Sequence, residues 1–227
     1  MITSLKKSIP TRGRSLDHAA RVYDYCEPIV MLGRQEPYNR NIVDALNAQP
    51  QQRVLDLGCG TGVLTRMIAD KLDSSAGGFC LGIDAAAKMI AVADKKRSSP
   101  ACRFDVMAAE NLVLEDNSFD AVVSSLFFHH VPLDLKQKSL SEARRVLKPG
   151  GRLLIADMHT PSTFFGAVVS YSARWFFLQP EIAENIKGVL PELIAQTGFV
   201  RPEMLNMYFG YIALFVAHKP RWEENHG

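Results

Sequence analysis

The sequence lacks long apolar runs, paired cysteines and any marked excess of charge. No apolar run in the 227 residues approaches the roughly 18 residues of a membrane-spanning helix. The four cysteines are scattered, without a C-x-x-C pair or the spacing of zinc ligands, so we expect reduced thiols and no metal site. Lysine and arginine number 26 against 24 acidic residues, and a net charge of +2 gives no indication of a nucleic-acid partner.

The first 15 residues also lack the apolar core of a secretory signal, which together with the scattered thiols predicts a cytoplasmic protein. They form a basic arm in which Ile2, Leu5 and Ile9 lie among the charges. Two interpretations are open: a mobile basic arm, or a segment that forms a flap or contacts an anionic surface. The basic side chains are Lys6, Lys7, Arg12 and Arg14.

What the sequence does contain is a strand, a glycine turn and a helix start within residues 54–62, VLDLGCGTG. An apolar run of this kind, broken by Asp56, is typical of a buried strand. The three glycines allow positive φ and a close approach to the backbone, and the helix that follows offers free N–H groups to a polar ligand. The alternatives are a turn without a ligand and a nicotinamide-binding loop, because dinucleotide-binding enzymes share such loops. The glycines are Gly58, Gly60 and Gly62.

The string D-L-G-C-G-T-G resembles the first motif of class I S-adenosylmethionine-dependent methyltransferases. Later, L-K-P-G-G-R-L-L-I-A-D at residues 147–157 is similar to the stretch before and through that family's fifth strand. The N-terminal AARVYDYCEPIVMLGRQEPYNR resembles the UbiE/COQ5-like group, also called methyltransferase type 11, in which this region caps the site. The resemblance covers residues 50–157 strongly and both ends loosely.

This resemblance implies an α/β fold. The sheet would be Rossmann-like and seven-stranded, mostly parallel with an antiparallel final strand, with helices on both faces and an N-terminal helical cap. We expect one domain over residues 1–227. Its parts would be an arm and cap (1–48), a cofactor-binding core (50–157), an aromatic-rich cap on the acceptor side (158–198) and a C-terminal strand pair (199–219).

The cofactor implied is S-adenosylmethionine. Gly58, Gly60, Thr61 and Gly62 would line its methionyl and ribose side, and Asp56 would orient the loop. Asp84 lies 22 residues after Gly62 (84 − 62), at the predicted end of the second strand. An acid there is placed to accept hydrogen bonds from the ribose hydroxyls. The alternative for Asp84 is an N-cap of the next helix.

The adenine end departs from the family pattern, which has an acid or amide where this chain has Ala108. Ala108 and Ala109 would border the adenine edge, and either the side-chain contact is missing or Glu110 supplies it. Ser125 aligns with a serine that contacts the methionyl end. Tyr23 and Asp24 would face the cofactor, or else be packed and solvated respectively.

Two adjacent histidines, His129 and His130, follow the predicted fourth strand. The family commonly has such a pair, and a histidine near its ordinary pKa can take a proton from an acceptor hydroxyl or amine. We therefore regard them as the catalytic candidates, with a packing or capping role as the alternative. Adjacent residues rarely chelate one ion, so no metal is expected.

The segment from His159 to Pro180 concentrates aromatic residues at helical spacing. Three interpretations are open: a packed cap, an apolar acceptor pocket and a membrane-facing patch. The aromatic residues are Phe164, Phe165, Tyr171, Trp175, Phe176 and Phe177.

We therefore predict methyl transfer to a small, apolar acceptor such as a quinone precursor or a lipid amine. Peripheral contact with a membrane is compatible with this prediction, and the oligomeric state stays open. Two alternatives come from other classes of protein. One is a nicotinamide-dependent oxidoreductase, and the other is a catalytically silent module that binds a cofactor or a partner.

Overall fold

Seven strands of the chain form one sheet in the computed structural model, in the order β3-β2-β1-β4-β5-β7-β6. The structure describes residues 7–13, 17, 20, 24, 31, 33–176 and 181–221. The strands are β1 (Arg53–Leu57), β2 (Phe79–Asp84), β3 (Cys102–Val106), β4 (Phe119–Ser125), β5 (Leu147–Met158), β6 (Val200–Tyr208) and β7 (Ile212–His218).

The described α-helices are α1 (Gln35–Leu46), α2 (Val63–Ala69), α3 (Ala87–Arg97), α4 (Leu133–Val146), α5 (Phe164–Phe176), α6 (Ile182–Ile186) and α7 (Val189–Gln196). Short 3₁₀ helices span Ser74–Ala76 and Phe128–His130. None of the helices in the described part of the chain combines the length and apolar character needed to cross a membrane.

The first five strands are parallel, and β7 is antiparallel to both β5 and β6. This confirms the predicted mostly parallel sheet with an antiparallel final strand. The chain passes from β1 outward to β2 and β3, and then returns to the other side of β1 with β4. A crevice forms at such a switch point, beyond the carboxyl ends of the strands, and it is where ligands bind in folds of this type.

Side chains alternate between two apolar layers, one on each face of the sheet. Leu55 and Leu57 of β1 lie in the layer covered by α4 and α7. Val54 lies in the opposite layer, which α1, α2 and α3 cover. Because successive strand residues point to opposite faces, Asp56 also points toward α2. This pattern confirms helices on both faces of the sheet.

Two local features shape the chain after α4. The stretch Lys148–Gly151 belongs to β5. The reason is that the Gly150 N–H donates to the carbonyl of Lys219, and Gly151 accepts from the Lys219 N–H, which extends the pairing with the C-terminal segment. Between residues 182 and 197 the chain forms two helices divided at Gly188, which has φ of 80°, and Pro191 lies in the first turn of the second helix, α7.

Of the predicted N-terminal cap, the structure describes chiefly α1. Most of residues 14–32, including Tyr23, lie outside the described residues. Asp24 and Met31 are described, and Met31 packs in the apolar layer that contains α1.

Candidate active site

The glycine loop after β1 leaves no room for side chains at two of its positions. Gly58 has φ of 70°, and a Cβ atom there would lie 2.5 Å from the Phe127 ring. Gly62 has φ of 81° and lies at the N-cap position just before α2, and a Cβ atom there would lie 2.4 Å from the Phe104 ring. An L-residue rarely adopts such φ values, so both sterics and backbone favour glycine. The loop therefore lies directly on its aromatic neighbours and leaves its other side to the cleft.

Asp84 joins this loop to the start of α3. One carboxylate oxygen accepts the Gly60 N–H at 3.0 Å, and the other accepts the Ala86 N–H at 2.8 Å. Burial raises the pKa of Asp84, and the two N–H donors oppose that change. Each carboxylate oxygen has a second lone pair, so the group can still accept hydroxyl donors. The two roles considered for Asp84 are thus compatible, since it bonds an N–H beside the helix start and also lines the cleft.

Asp56 lies fully buried under the loop, where its carboxylate accepts the Thr65 hydroxyl at 2.6 Å. Burial raises the pKa of Asp56 to about 7, and the nearby charge of Asp84 acts in the same direction. The bond from Thr65 opposes them. Asp56 is consequently a carboxylate whose charge the fold holds at a cost in stability.

A cleft with about 990 Å³ of free space, open solvent included, runs along the carboxyl ends of the strands. Most predicted site residues line it: Asp56, Gly58, Gly60, Thr61, Asp84, Ala109, Ser125 and His130. Three others do not. Gly62 faces Phe104, while Ala108 is buried and forms a backbone bridge with Asn111. His129 is the third, and the sequence pattern gave no means of separating it from His130.

The two histidines have different surroundings. His129 Nδ1 lies 2.7 Å from a carboxylate oxygen of Asp157, which is fully buried. Asp157 also accepts the backbone N–H groups of Phe128 and Met158. The ring of His130 is 3.9 Å from that of His129, centroid to centroid, and borders the cleft. His129 therefore packs behind the pair, and His130 is the imidazole that borders the cleft.

The N-terminal arm contributes contacts that sequence patterns did not indicate. The Ile9 N–H donates to the carbonyl of Ala85 at 2.9 Å, and the Thr11 hydroxyl donates to Glu110 at 2.6 Å. Arg12 forms an ion pair with Asp134. Thr11 and Gly13 line the cleft. Of the two interpretations of the arm, the geometry of residues 7–13 is that of a flap along the end where Glu110 lies.

Helix α1 supplies a second set of residues that sequence reasoning missed. The Tyr38 hydroxyl lies 2.9 Å from that of Ser125, and Tyr38 is buried. Gln35 and Asn39, on the same helix, line the cleft. The only signal for this contribution was the resemblance of the N-terminal region to a family in which it caps the site.

Asp24 connects the predicted cap to the glycine loop. It accepts the Thr61 hydroxyl and bonds Lys96 at 2.7 Å and Arg97 at 3.0 Å. Burial by itself would raise the pKa of Asp24, but the bonds from Lys96, Thr61 and Arg97 together lower it. Lys96 and Arg97 thus bind Asp24, and Arg97 also donates to the Thr61 carbonyl at 2.9 Å.

The described aromatic side chains of α5 lie outside the cleft, and Phe177 lies outside the described residues. The described aromatic side chains of α5 are exposed rather than packed, and Phe164 and Trp175 have exposed fractions of 87% and 67%. None of them lines the cleft. The packed cap and the acceptor pocket therefore do not describe α5, and the third interpretation, a surface patch, fits its geometry.

Known proteins with similar sequences identify the group to which this chain belongs. A methyltransferase-domain family matches residues 55–155. A demethylmenaquinone methyltransferase from Renibacterium salmoninarum is 35% identical, over 95% of this chain and 95% of that protein. The chain belongs to the class I S-adenosylmethionine-dependent methyltransferases, in the UbiE/COQ5-like group. The resemblance seen in its motifs is thereby confirmed.

Other comparisons agree with this assignment. A demethylmenaquinone methyltransferase from Beutenbergia cavernae is 38% identical over 146 residues, which are 64% of this chain and 57% of that protein. A phosphoethanolamine methyltransferase from Haemonchus contortus, solved with phosphomonomethylethanolamine and S-adenosylhomocysteine, shares the fold. Its TM-score is 0.69 at 21% identity, over 92% of this chain and 59% of that one.

The methyltransferase therefore uses S-adenosylmethionine as its cofactor, as predicted. This decides between the two kinds of enzyme that share a glycine loop after the first strand, and nothing supports the nicotinamide-dependent alternative.

Proposed function

We propose that this methyltransferase transfers the methyl group to a ring carbon of a quinone precursor of the demethylmenaquinone type. The observation that carries the proposal is the 35% identity to a demethylmenaquinone methyltransferase along 95% of both chains. A relationship of that extent includes the N-terminal flap and the segment after β5, which are the parts outside the shared cofactor core. The phosphoethanolamine enzyme, at 21% identity, supports the fold alone.

The residues of the cleft fit the cofactor. Gly58 lies so close to the Phe127 ring that a methyl group at this position would clash with it. The loop backbone itself borders the cleft. We assign Gly58, Gly60 and Thr61 to the methionyl and ribose side, with Asp84 as the acceptor of the ribose hydroxyls. Asp56 supports the loop from below, and Gly62 sets the start of α2. Glycine-loop N–H groups at a helix start are suited to polar ligand groups.

At the far ends of the cleft, we assign Ala109 and Glu110 to the adenine edge. Ala108 contributes only through the buried backbone turn behind them. Thr11 holds the Glu110 carboxylate in place through its 2.6 Å bond. Ser125, held by the Tyr38 hydroxyl, would contact the methionyl end.

S-adenosylmethionine, when bound, supplies an electrophilic methyl group, so the protein has to align an acceptor atom and exclude water. His130 is the ionisable imidazole that borders the cleft. We assign His130 the role of a general base that accepts the proton of an acceptor hydroxyl. Loss of that proton raises the electron density on the neighbouring ring carbon. That carbon takes the methyl group, and its own hydrogen leaves as a proton when the ring regains conjugation. His129, fixed by Asp157, is assigned a positioning role.

The test is an assay of methyl transfer from labelled S-adenosylmethionine to a panel of acceptors. The panel contains a reduced demethylated naphthoquinol with a short prenyl chain, its oxidised form, and phosphoethanolamine. We expect the label in the reduced acceptor, and we expect mass spectrometry to show that it is attached to a ring carbon. Transfer to phosphoethanolamine alone would overturn the acceptor while leaving the enzyme class intact.

The role of His130 is tested with His130→Asn, and His129→Asn serves as the comparison. General-base assistance contributes about 10²–10⁴-fold, so we expect kcat of His130→Asn to fall by about that factor with unchanged affinity for S-adenosylhomocysteine. His130→Asn should also lose the acidic limb of the pH–rate profile. A profile that keeps this limb would show that another group takes the proton.

A further inference from the structure

Helix α5 hides its small side chains and exposes its large ones. Gly166 and Ser170, one turn apart, are buried. A Cβ atom on Gly166 would lie 2.5 Å from the carbonyl oxygen of Gly210, in the turn between β6 and β7. The exposed large apolar residues of α5 are Phe164, Phe165, Val168, Tyr171 and Trp175. A surface helix of a globular protein normally has the opposite arrangement, with its apolar face toward the core.

The exposed residues form a continuous stripe. Phe164, Val168, Tyr171 and Trp175 follow each other at spacings of four, three and four residues, so they stand above one another on one face. Single exposed apolar residues are common on protein surfaces, but a contiguous apolar face usually marks a binding surface. We name this exposed row of Phe164, Val168, Tyr171 and Trp175 the α5 stripe.

The position of the α5 stripe relates it to the cleft. β5 ends at Met158, on the same edge of the sheet as the carboxyl ends of β1 and β4, where the cleft lies. Six residues later α5 begins, and the Thr163 hydroxyl accepts the Gly166 N–H at its start. The stripe and the cleft thus belong to the same end of the molecule.

We propose that the α5 stripe docks the methyltransferase onto the surface of a lipid bilayer. Phe, Tyr and Trp are the side chains that prefer the boundary between headgroups and acyl chains. Arg174, whose guanidinium lies 5.2 Å from the Trp175 ring centroid, borders the stripe with a cation. Lys187, in the link after the neighbouring helix α6, is exposed. Aromatic rings flanked by cations suit an anionic bilayer surface better than a second copy of this chain, which would bring like charges together.

The inference does not depend on the acceptor proposed above, because binding to vesicles can be measured without any acceptor. The sequence contains two tryptophans, Trp175 and Trp222. The Trp222→Phe variant therefore carries its only indole on the α5 stripe. We expect its emission to shift to shorter wavelength on addition of vesicles of phosphatidylcholine with about one third phosphatidylglycerol. Quenching by lipids brominated near the headgroup should accompany the shift.

The stripe itself is tested by flotation with the same vesicles. Replacing Phe164 and Trp175 together by Gln should lower the vesicle partition coefficient by about 100-fold or more, since two large apolar side chains lose their burial. Val113→Gln is the matched control, because Val113 is 82% exposed but lies outside α5. It should bind vesicles as the unaltered protein does. Equal binding of S-adenosylhomocysteine by all variants establishes that each is folded.

Two results would overturn the proposal. One is the absence of both flotation and an emission shift for the chain with an intact stripe. The other is a concentration-dependent dimer, detected by light scattering without lipid, that the Phe164→Gln, Trp175→Gln variant no longer forms. That second result would assign the stripe to a second copy of the chain. Neither result affects the acceptor assay, so failure of one proposal is distinguishable from failure of the other.

Discussion

The glycine loop after β1 and helix α5 after β5 leave the same edge of the sheet, but they differ in what they bury. The loop buries carboxylates: Asp56 is enclosed under it, and Asp84 bonds its backbone. Helix α5 buries a glycine and a serine, and turns its aromatic residues to solvent. Each arrangement reverses the usual rule that charged groups lie outside and large apolar groups inside.

Such reversals reduce stability, and the reduction is easiest to understand where a ligand or surface makes use of it. In the loop, Asp56 and Asp84 line the cleft to which we assign the cofactor. On α5, the exposed aromatic residues remain without cover among the described residues. The comparison therefore separates a region optimised for a small polar ligand from one suited to a broad apolar surface, and substitutions can test each half.

The largest effect is expected for Asp56→Asn, which should stabilise the fold. The pKa of Asp56 is raised by burial from 3.8 to about 7. The folded protein therefore holds this proton more tightly than the unfolded chain, and the free energy of unfolding falls as pH rises through that interval. At about 1.4 kcal/mol per pKa unit, the charged Asp56 lowers the free energy of unfolding by about 4 kcal/mol above pH 7. Urea unfolding at several pH values measures it.

The gain in the free energy of unfolding from Asp56→Asn should shrink steadily as the pH is lowered toward 4. Asp73→Asn is the control with the opposite sign. Asp73 is exposed, and bonds from Ser75 lower its pKa, so its stabilising contribution is present at neutral pH and is lost on acidification. A gain for Asp56→Asn that does not change with pH would show that its charge is not the cause.

The next effect concerns the steric fit of the loop. Gly62→Ala should destabilise the fold by about 3 kcal/mol, about 1 from the left-handed backbone and the rest from overpacking against Phe104. Gly77→Ala is a matched control, since Gly77 has φ of 85° and no atom within 4 Å of its Cβ position. It should lose only about 1 kcal/mol. Equal losses in the two variants would mean that the contact with Phe104 does not limit position 62.

The third effect is on binding rather than stability. Asp84→Ala should weaken the affinity for S-adenosylhomocysteine by about 10–100-fold, from about 1.5–3 kcal/mol for a charged hydrogen-bonding partner. Asp84→Asn should keep a bond to one of its N–H partners, so that it folds more stably than Asp84→Ala while still binding weakly. Isothermal titration calorimetry measures the affinity of both variants for S-adenosylhomocysteine. Affinity equal to that of the unaltered enzyme would remove Asp84 from the ribose site.

Sequence patterns predicted the loop well because its determinants are local. The apolar run of β1, the three glycines and the start of α2 lie within a few residues, and Asp84 follows at the distance set by one βαβ unit. They did not predict the contributions of the N-terminal arm and α1, which reach the cleft through contacts between residues distant in sequence. Thr11 and Glu110 are 99 residues apart, and Tyr38 and Ser125 are 87 apart. No periodicity encodes such pairs.

Helix α5 shows a different limit. Its spacing predicted a helix, and the structure has one over Phe164–Phe176. The buried face could not be predicted, because large apolar residues occupy most positions and the pattern has little contrast. What decides the face is Gly166, which lets the helix approach the carbonyl of Gly210. A glycine in a helix is usually taken as a weakness, and here it marks the side that packs.

The smallest effect on the free energy of unfolding is expected on α5. There, substituting a large side chain should cost less stability than substituting a small one. Phe164→Gln should change the free energy of unfolding by less than about 0.5 kcal/mol, because its side chain is 87% exposed. Gly166→Ala adds a single methyl group but should cost about 1–3 kcal/mol, since the group meets a backbone carbonyl that cannot rotate away. Urea unfolding of the two variants, without lipid, makes the measurement. A larger loss from Phe164→Gln than from Gly166→Ala would mean that the ring packs on the protein in solution, and the helix would then have the ordinary orientation, with no free apolar stripe to offer a bilayer.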